Sequence, residues 1–148
     1  MRVWDPLAQR CEQTFEGHTN PVRSLCFAQD ILCSGSIDGS IKLWDPRTGT
    51  CLRTLTGHTN RVSSLCAHQG ALYSGSWDKT VRAWSVAEGS CLRTLEGHTE
   101  EVYSVCSFGS FVCSGSRDRT IKVWDLSGSC RTWEGHGGGV LALCTAFA

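Results

Sequence analysis

Apolar positions in this chain fall in short runs, never at helical spacing. Val22 to Phe27, Ile31 to Ser36, Ile41 to Trp44 and Cys51 to Leu55 are rich in Val, Ile, Leu, Cys and aromatics, and Gly, Ser, Asn, Asp or Pro separates each run from the next. That is the signature of strands joined by tight turns. No segment carries the 3.6-residue period of a helix. The same four runs return after Gly57 and again after Gly97, which predicts an all-β chain with one four-stranded antiparallel sheet per unit. The runs are more continuously apolar than a half-exposed sheet requires, as expected where each sheet is sandwiched between neighbours.

The landmarks between the runs repeat just as strictly. Gly17-His18, Gly57-His58 and Gly97-His98 stand 40 residues apart and Gly135-His136 follows after 38, while Trp4, Trp44, Trp84 and Trp124 keep a spacing of 40 throughout. Between them lie Ser34-Gly35-Ser36, Ser74-Gly75-Ser76 and Ser114-Gly115-Ser116, each followed two residues later by Asp38, Asp78 or Asp118. A fixed period near this length marks a stacked-repeat architecture.

This order of GH, SGSxD and WD resembles the WD-repeat family, and the resemblance covers nearly the whole chain. It implies a β-propeller, a ring of blades round a central channel. The units would be blades at 17–56, 57–96 and 97–134, with 1–16 giving the third and fourth strands of an incomplete blade. Residues 135–148 would give only a first strand, at 140–145. The short link between first and second strands, Ala28-Gln29-Asp30 or His68-Gln69-Gly70, is similar to the blades of F-box/WD-repeat substrate receptors of ubiquitin ligases. Similar blades also occur in WD-bearing kinases and in ligases of other types.

The family resemblance further implies a hydrogen-bonded tetrad in each complete blade. The sets are His18, Ser34, Asp38 and Trp44; His58, Ser74, Asp78 and Trp84; and His98, Ser114, Asp118 and Trp124. In the family pattern Asp accepts from His, His bonds Ser, and Ser accepts the indole N–H, so each buried polar group is satisfied. A His, a Ser and an Asp together also invite a hydrolase reading. A nucleophilic Ser, however, is exposed beside an oxyanion hole and occurs once, whereas this set occurs three times with its Ser tied to Trp. No catalytic residue and no cofactor is assigned. Trp84 is followed by Ser85 where the other blades have Asp, and His136 lacks tetrad partners in the sequence.

Composition narrows the partners. Lys plus Arg and Asp plus Glu stand at 14 each, so no net field draws the chain to nucleic acid or to an anionic membrane. The start, Met1-Arg2-Val3-Trp4-Asp5-Pro6, has no apolar stretch of signal-peptide length, and no window approaches the roughly 20 apolar residues of a membrane span. These features lead us to expect a cytosolic or nuclear protein. The ten cysteines recur by position: Cys26, Cys66, Cys106 and Cys144; Cys11, Cys51, Cys91 and Cys130; Cys33 and Cys113. Such residues sit at equivalent points of stacked units and read as small buried hydrophobes. No pair has CxxC spacing, and the histidines belong to successive blades, so no zinc site is expected.

Between the incomplete blades at the two ends, the SGSxD strand is missing, and pairing two chains leaves it missing at both junctions. Open blade faces and strand edges favour association. The expectation is a piece of a longer propeller, or a chain that self-associates through open blade edges.

In the family, partner contacts come from the rim that carries the GH loops and the turn aspartates. Mapped onto this sequence, these positions are Arg23, Ile37 and Gly39; Arg61, Ser63, Trp77 and Lys79; and Tyr103, Arg117 and Arg119. Aromatic and Arg side chains are the usual interface anchors, and an acidic or phosphorylated peptide fits them. Glu100 and Glu101 lie on the same rim and are candidates to pair with Arg117 or Arg119. The function implied is a protein–protein interaction scaffold, as the substrate-reading module of a ubiquitin ligase or as a targeting module of an enzyme, such as a kinase, whose catalytic domain lies elsewhere. An inactive fragment without a partner is a third reading.

Overall fold

The structure, a computed structural model, describes residues 1–5, 7, 9–125 and 127–144. Strands β1 (Arg2–Asp5) and β2 (Arg10–Thr14) form a two-stranded sheet. Three four-stranded antiparallel meanders follow. The first is β3 (Val22–Ala28), β4 (Ile31–Ser36), β5 (Ile41–Trp44) and β6 (Cys51–Leu55); the second is β7 (Val62–His68), β8 (Ala71–Ser76), β9 (Val81–Ser85) and β10 (Cys91–Leu95). The third is β11 (Val102–Phe108), β12 (Phe111–Ser116), β13 (Ile121–Trp124) and β14 (Cys130–Trp133). The sheets do not close on themselves, and no helix forms among the described residues.

Each strand is buried according to its rank. Second strands are buried at every residue but the first, whereas fourth strands expose nearly all of theirs. The core therefore lies between sheets. Cys33, Ile41, Leu43 and Leu55 of the first meander meet Val62, Leu65, Leu72 and Trp84 of the second. Tyr73, Val81, Ala83 and Leu95 meet Val102, Val105, Val112 and Trp124 in the same way. Each such aliphatic side chain contributes on the order of 1.5–3 kcal/mol by leaving water.

The glycine of each Ser-Gly-Ser is the socket of this packing. A Cβ at Gly35 would stand 2.6 Å from Val62 Cγ1, one at Gly75 2.7 Å from Val102 Cγ1, and one at Gly115 2.6 Å from Val140 Cγ1. Only a residue without a side chain admits the first valine of the following unit. A second repeated link is polar: the Leu65 N–H donates to Ser24 Oγ (2.9 Å), Val105 to Ser64 (3.1 Å) and Leu143 to Ser104 (3.1 Å).

Two expectations change. Residues 140–144 make no strand, and Thr145 lies outside the described residues. Val140 still docks on Gly115 and its N–H bonds Ser116 O at 2.8 Å, as Val62 and Val102 dock on Gly35 and Gly75, so the run takes the corresponding position with no ladder among the described residues. The cysteines are not uniformly buried either. Cys33 and Cys113 are buried and Cys26, Cys66 and Cys106 half-buried, but Cys11, Cys51, Cys91, Cys130 and Cys144 are exposed. Cys11 lies on β2, Cys51 on β6, Cys91 on β10 and Cys130 on β14, strands at the edge of their sheets among the described residues. All ten are free thiols.

Candidate functional site

The turn after each second strand is fixed by the tetrad, and this fixes the rim. In the first meander His18 Nδ1 bonds Asp38 Oδ2 at 2.8 Å, His18 Nε2 bonds Ser34 Oγ at 2.7 Å, and the Trp44 indole donates to Ser34 Oγ at 2.8 Å. The corresponding distances are 2.6, 2.7 and 2.8 Å for His58, Asp78, Ser74 and Trp84, and 2.7, 2.7 and 2.8 Å for His98, Asp118, Ser114 and Trp124. One proton arrangement satisfies all four groups: Nδ1–H donates to the carboxylate, and the Ser hydroxyl donates to Nε2 while its oxygen accepts the indole N–H. The three serines are fully buried. An oxygen so placed has neither a free lone pair aimed at solvent nor room for a substrate carbonyl.

The aspartates are held as carboxylates. Burial pushes each of them up, but hydrogen bonds outweigh it, from Ser40 and His18 onto Asp38, from His58 and Thr80 onto Asp78, and from Thr120 and His98 onto Asp118. Asp118 is brought down to about 2, and Asp38 and Asp78 also lie below the usual range. Burial lowers His98, with the Asp118 bond opposing, so its ring is neutral near pH 7. The hydroxyls of Ser40, Thr80 and Thr120, at 2.6, 2.7 and 2.6 Å from their aspartates, belong to the network too. Their recurrence two residues after each Asp was the signal available in the sequence.

Every first strand carries a bulge near its start, between Val22 and Ser24, Val62 and Ser64, and Val102 and Ser104. A bulge leaves one residue outside the ladder and re-aims it; here these are Arg23, Ser63 and Tyr103. Ser63 does not face a partner. Its hydroxyl donates to the Gly75 (2.9 Å) and Val102 (2.6 Å) carbonyls, tying the second sheet to the third.

Arg61, Trp77 and Tyr103 come together. The Arg61 guanidinium carbon lies 3.7 Å from the Trp77 ring centroid, and the Trp77 and Tyr103 rings meet edge-on with centroids 5.8 Å apart. The Trp77 N–H bonds Arg61 O at 3.0 Å, which holds the turn and the loop in this pose. Arg61 Nε is buried without a hydrogen-bond partner. Arg117 is taken by Glu101, whose oxygens stand 3.1 and 3.4 Å from its Nη1. Lys79 Nζ reaches Thr99 O at 2.8 Å and Glu100 at 4.0 Å. Arg23 and Arg119 are exposed with no ion pair among the described residues. Ile37 is half-buried and Gly39 backs onto Asn60 O, where a Cβ would be 3.3 Å away, so these two support the rim more than they present it. No cluster of three or more His, Cys, Asp or Glu able to hold a metal occurs among the described residues.

The model of the WD domain, G-beta repeat, matches residues 9–45, 49–85 and 89–125, more than half of the chain. The chain belongs to the WD-repeat family. Membership implies a protein-interaction scaffold, and WD-repeat propellers are generally non-catalytic. Mitochondrial division protein 1 of Neurospora crassa is 51% identical over 43 residues, which is 29% of this chain. The chain spans 7% of the length of that protein. Crystal structures of two computationally designed proteins share the fold. Ika4 superposes with a TM-score of 0.83 at 38% identity, covering 90% of this chain and 85% of Ika4; Ika8 superposes at 0.88 and 36% identity, covering 99% of this chain and 46% of Ika8.

Proposed function

We propose that this WD-repeat chain docks an acidic or phosphorylated segment of another protein on the tetrad-bearing rim, with Arg61, Trp77, Tyr103 and Arg117 as anchors. The observation that carries this reading is Arg61, stacked over the Trp77 ring with no ion pair to a carboxylate among the described residues. A stacked guanidinium has lost most of its rotamer freedom before binding and keeps its planar fork for an anion. Arg23 and Arg119, exposed and without an ion pair among the described residues, add positive charge at the rim. In the Glu101–Arg117 pair the Arg117 side chain is exposed and Glu101 half-buried, so the guanidinium stays open to an incoming phosphate that would displace Glu101. The likeness of the blade turns to those of F-box/WD-repeat receptors supports substrate reading for a ubiquitin ligase as the role.

Fluorescence anisotropy with a labelled acidic phosphoserine peptide library tests the rim. Binding should weaken as salt rises, and Arg61→Ala or Trp77→Ala should each weaken it about tenfold or more, the effect of an interface anchor. Arg117→Ala should cost less. Circular dichroism should stay unchanged; equal binding by wild type and both anchor variants would remove the rim from the proposal.

A second reading, self-association at the open edge, rests on the exposed Trp4, Leu25 and Phe27. Light scattering that finds only monomer at high concentration would dispose of it.

A further inference from the structure

We propose that Cys26 and Cys33 form a reversible dithiol site on adjacent strands, oxidised to a cross-strand disulfide by a small disulfide of the glutathione class. The two residues are directly opposite in the β3–β4 register. Opposed residues of an antiparallel pair share one face, with Cα atoms about 4.5–5.5 Å apart, inside the roughly 4.4–6.8 Å that a disulfide spans. That face is turned towards the second meander: Cys33 is a fully buried member of the core between the two sheets, and Cys26 packs against that core while remaining half-buried.

The two thiols differ as an attacking and a resolving thiol should. The Cys33 S–H rests on the Ile31 carbonyl at 3.7 Å and can turn to a Cys26 thiolate. That hydrogen bond lowers Cys26 and raises Cys33. Cys26 is thus both the more accessible and the more readily ionised of the pair, which is what selects a thiol for exchange.

The exchange balances in two steps. The Cys26 thiolate attacks one sulfur of the small disulfide RS–SR; the Cys26–SR bond forms, the RS–SR bond breaks, and RS⁻ leaves with the electron pair. Cys33 then gives up its proton to that thiolate and attacks the Cys26 sulfur, forming Cys26–Cys33 and releasing the second RS⁻, which takes up the proton lost from Cys26. Two protein thiols have lost two electrons and one disulfide has become two thiols. Opposed Cβ atoms stand about 4.5–5.5 Å apart against about 3.5–4.5 Å in a disulfide, so closure draws β3 and β4 together. A strained bond of this kind is easily reduced. Cys33 also precedes Ser34, the oxygen that holds His18 and Trp44, so the tightening is applied next to the network that fixes the rim.

The other two meanders supply internal controls. Cys106 and Cys113 are opposed in the same register, but burial raises both, Cys106 to about 11. Cys66 faces Tyr73, and burial raises it as well. The test is to incubate the reduced chain with glutathione disulfide near neutral pH, quench by alkylation and map the peptides by mass. A Cys26–Cys33 linked peptide, lighter by two hydrogens, should form and should disappear with dithiothreitol. Cys33→Ala should stop at a glutathione adduct on Cys26, and Cys26→Ser should give no Cys33 product. Adducts confined to Cys11, Cys51, Cys91, Cys130 and Cys144, or Cys66 reacting as fast as Cys26, would overturn the assignment.

Discussion

Leu65 and Leu25 occupy equivalent positions in neighbouring sheets, yet Leu65 is 6% exposed and Leu25 51%. The tryptophans diverge in the same way: Trp84 is 1% exposed, with its indole on Ser74, and Trp4 is 55% exposed. The local sequences of the two leucines, Ser24-Leu25-Cys26 and Ser64-Leu65-Cys66, are the same. What differs is the preceding sheet. Leu65 packs against Cys33, Ile41 and Leu43 of the first meander. Leu25 instead lines a cavity of about 680 Å³ together with Phe15, Val22 and Trp44 among others. A blade is therefore half of two cores and not one core of its own, and its stability resides largely in its interfaces.

The most direct way to break this comparison is to shorten both leucines. Leu65→Ala should cost about 2–5 kcal/mol, the loss of a buried side chain plus the cavity left behind. Leu25→Ala should change stability by about 0.5 kcal/mol or less, as at an ordinary surface position. Denaturant melts of the two variants decide it, and similar midpoints would show that the interface between the first two meanders does not carry the load assigned to it.

A smaller effect separates the tetrad-bearing meanders from the two-stranded sheet, which has no tetrad among its described residues. The folded carboxyls of Asp38, Asp78 and Asp118 lie below the unfolded value of about 3.9. Their contribution is complete above that value and is lost as pH falls from about 4 through 2, where Asp118 titrates. His98, lowered from 6.5, acts in the same direction, because the unfolded ring takes up a proton first as pH drops. Stability should thus decline gently below about pH 6.5 and steeply below about 4. Asp78→Asn should flatten the steep limb in urea titrations, and Trp4→Phe should leave it in place. An acid limb insensitive to Asp78→Asn would detach the tetrads from acid stability.

The sequence showed most clearly what repeats along one chain segment. The four strands of the first meander begin and end where the apolar runs do, with one residue, Ala28, added to β3. The tetrads were legible because their members recur in order and their donors and acceptors match. Contacts between units were harder to read. The glycine of Ser-Gly-Ser lies inside an apolar run, and nothing in that run shows that Val62, Val102 and Val140 sit on it. Ser63 looked like a rim residue because a bulge and its side-chain direction cannot be told from period-2 patterning. The Arg61–Trp77 stack joins a loop to a turn 16 residues away, and the spacing of neither residue announces it. The exposure of Cys11, Cys51, Cys91 and Cys130 is hidden for a related reason: recurrence marks equivalent positions but does not say whether a position has a neighbour outside it.

The smallest predicted difference sharpens the comparison on the rim itself. The residue after each turn aspartate is left-handed, with φ of 81° at Gly39, 74° at Lys79 and 69° at Arg119. Glycine adopts this conformation freely, whereas a side chain there costs roughly 1–2 kcal/mol. Lys79→Gly relieves that strain, but it loosens the unfolded chain by about 0.5–1 kcal/mol and removes the bond from Lys79 Nζ to Thr99 O. The net change should be a gain of no more than about 1 kcal/mol. Gly39→Lys runs the other way, since the strain is added and its Cβ meets Asn60 O. If the rim binds anions, Lys79→Gly should also weaken the phosphoserine probe a few-fold while the melting midpoint holds or rises. A lysine kept in a strained pose whose removal improved both stability and binding would leave the positive charge of this rim without a role.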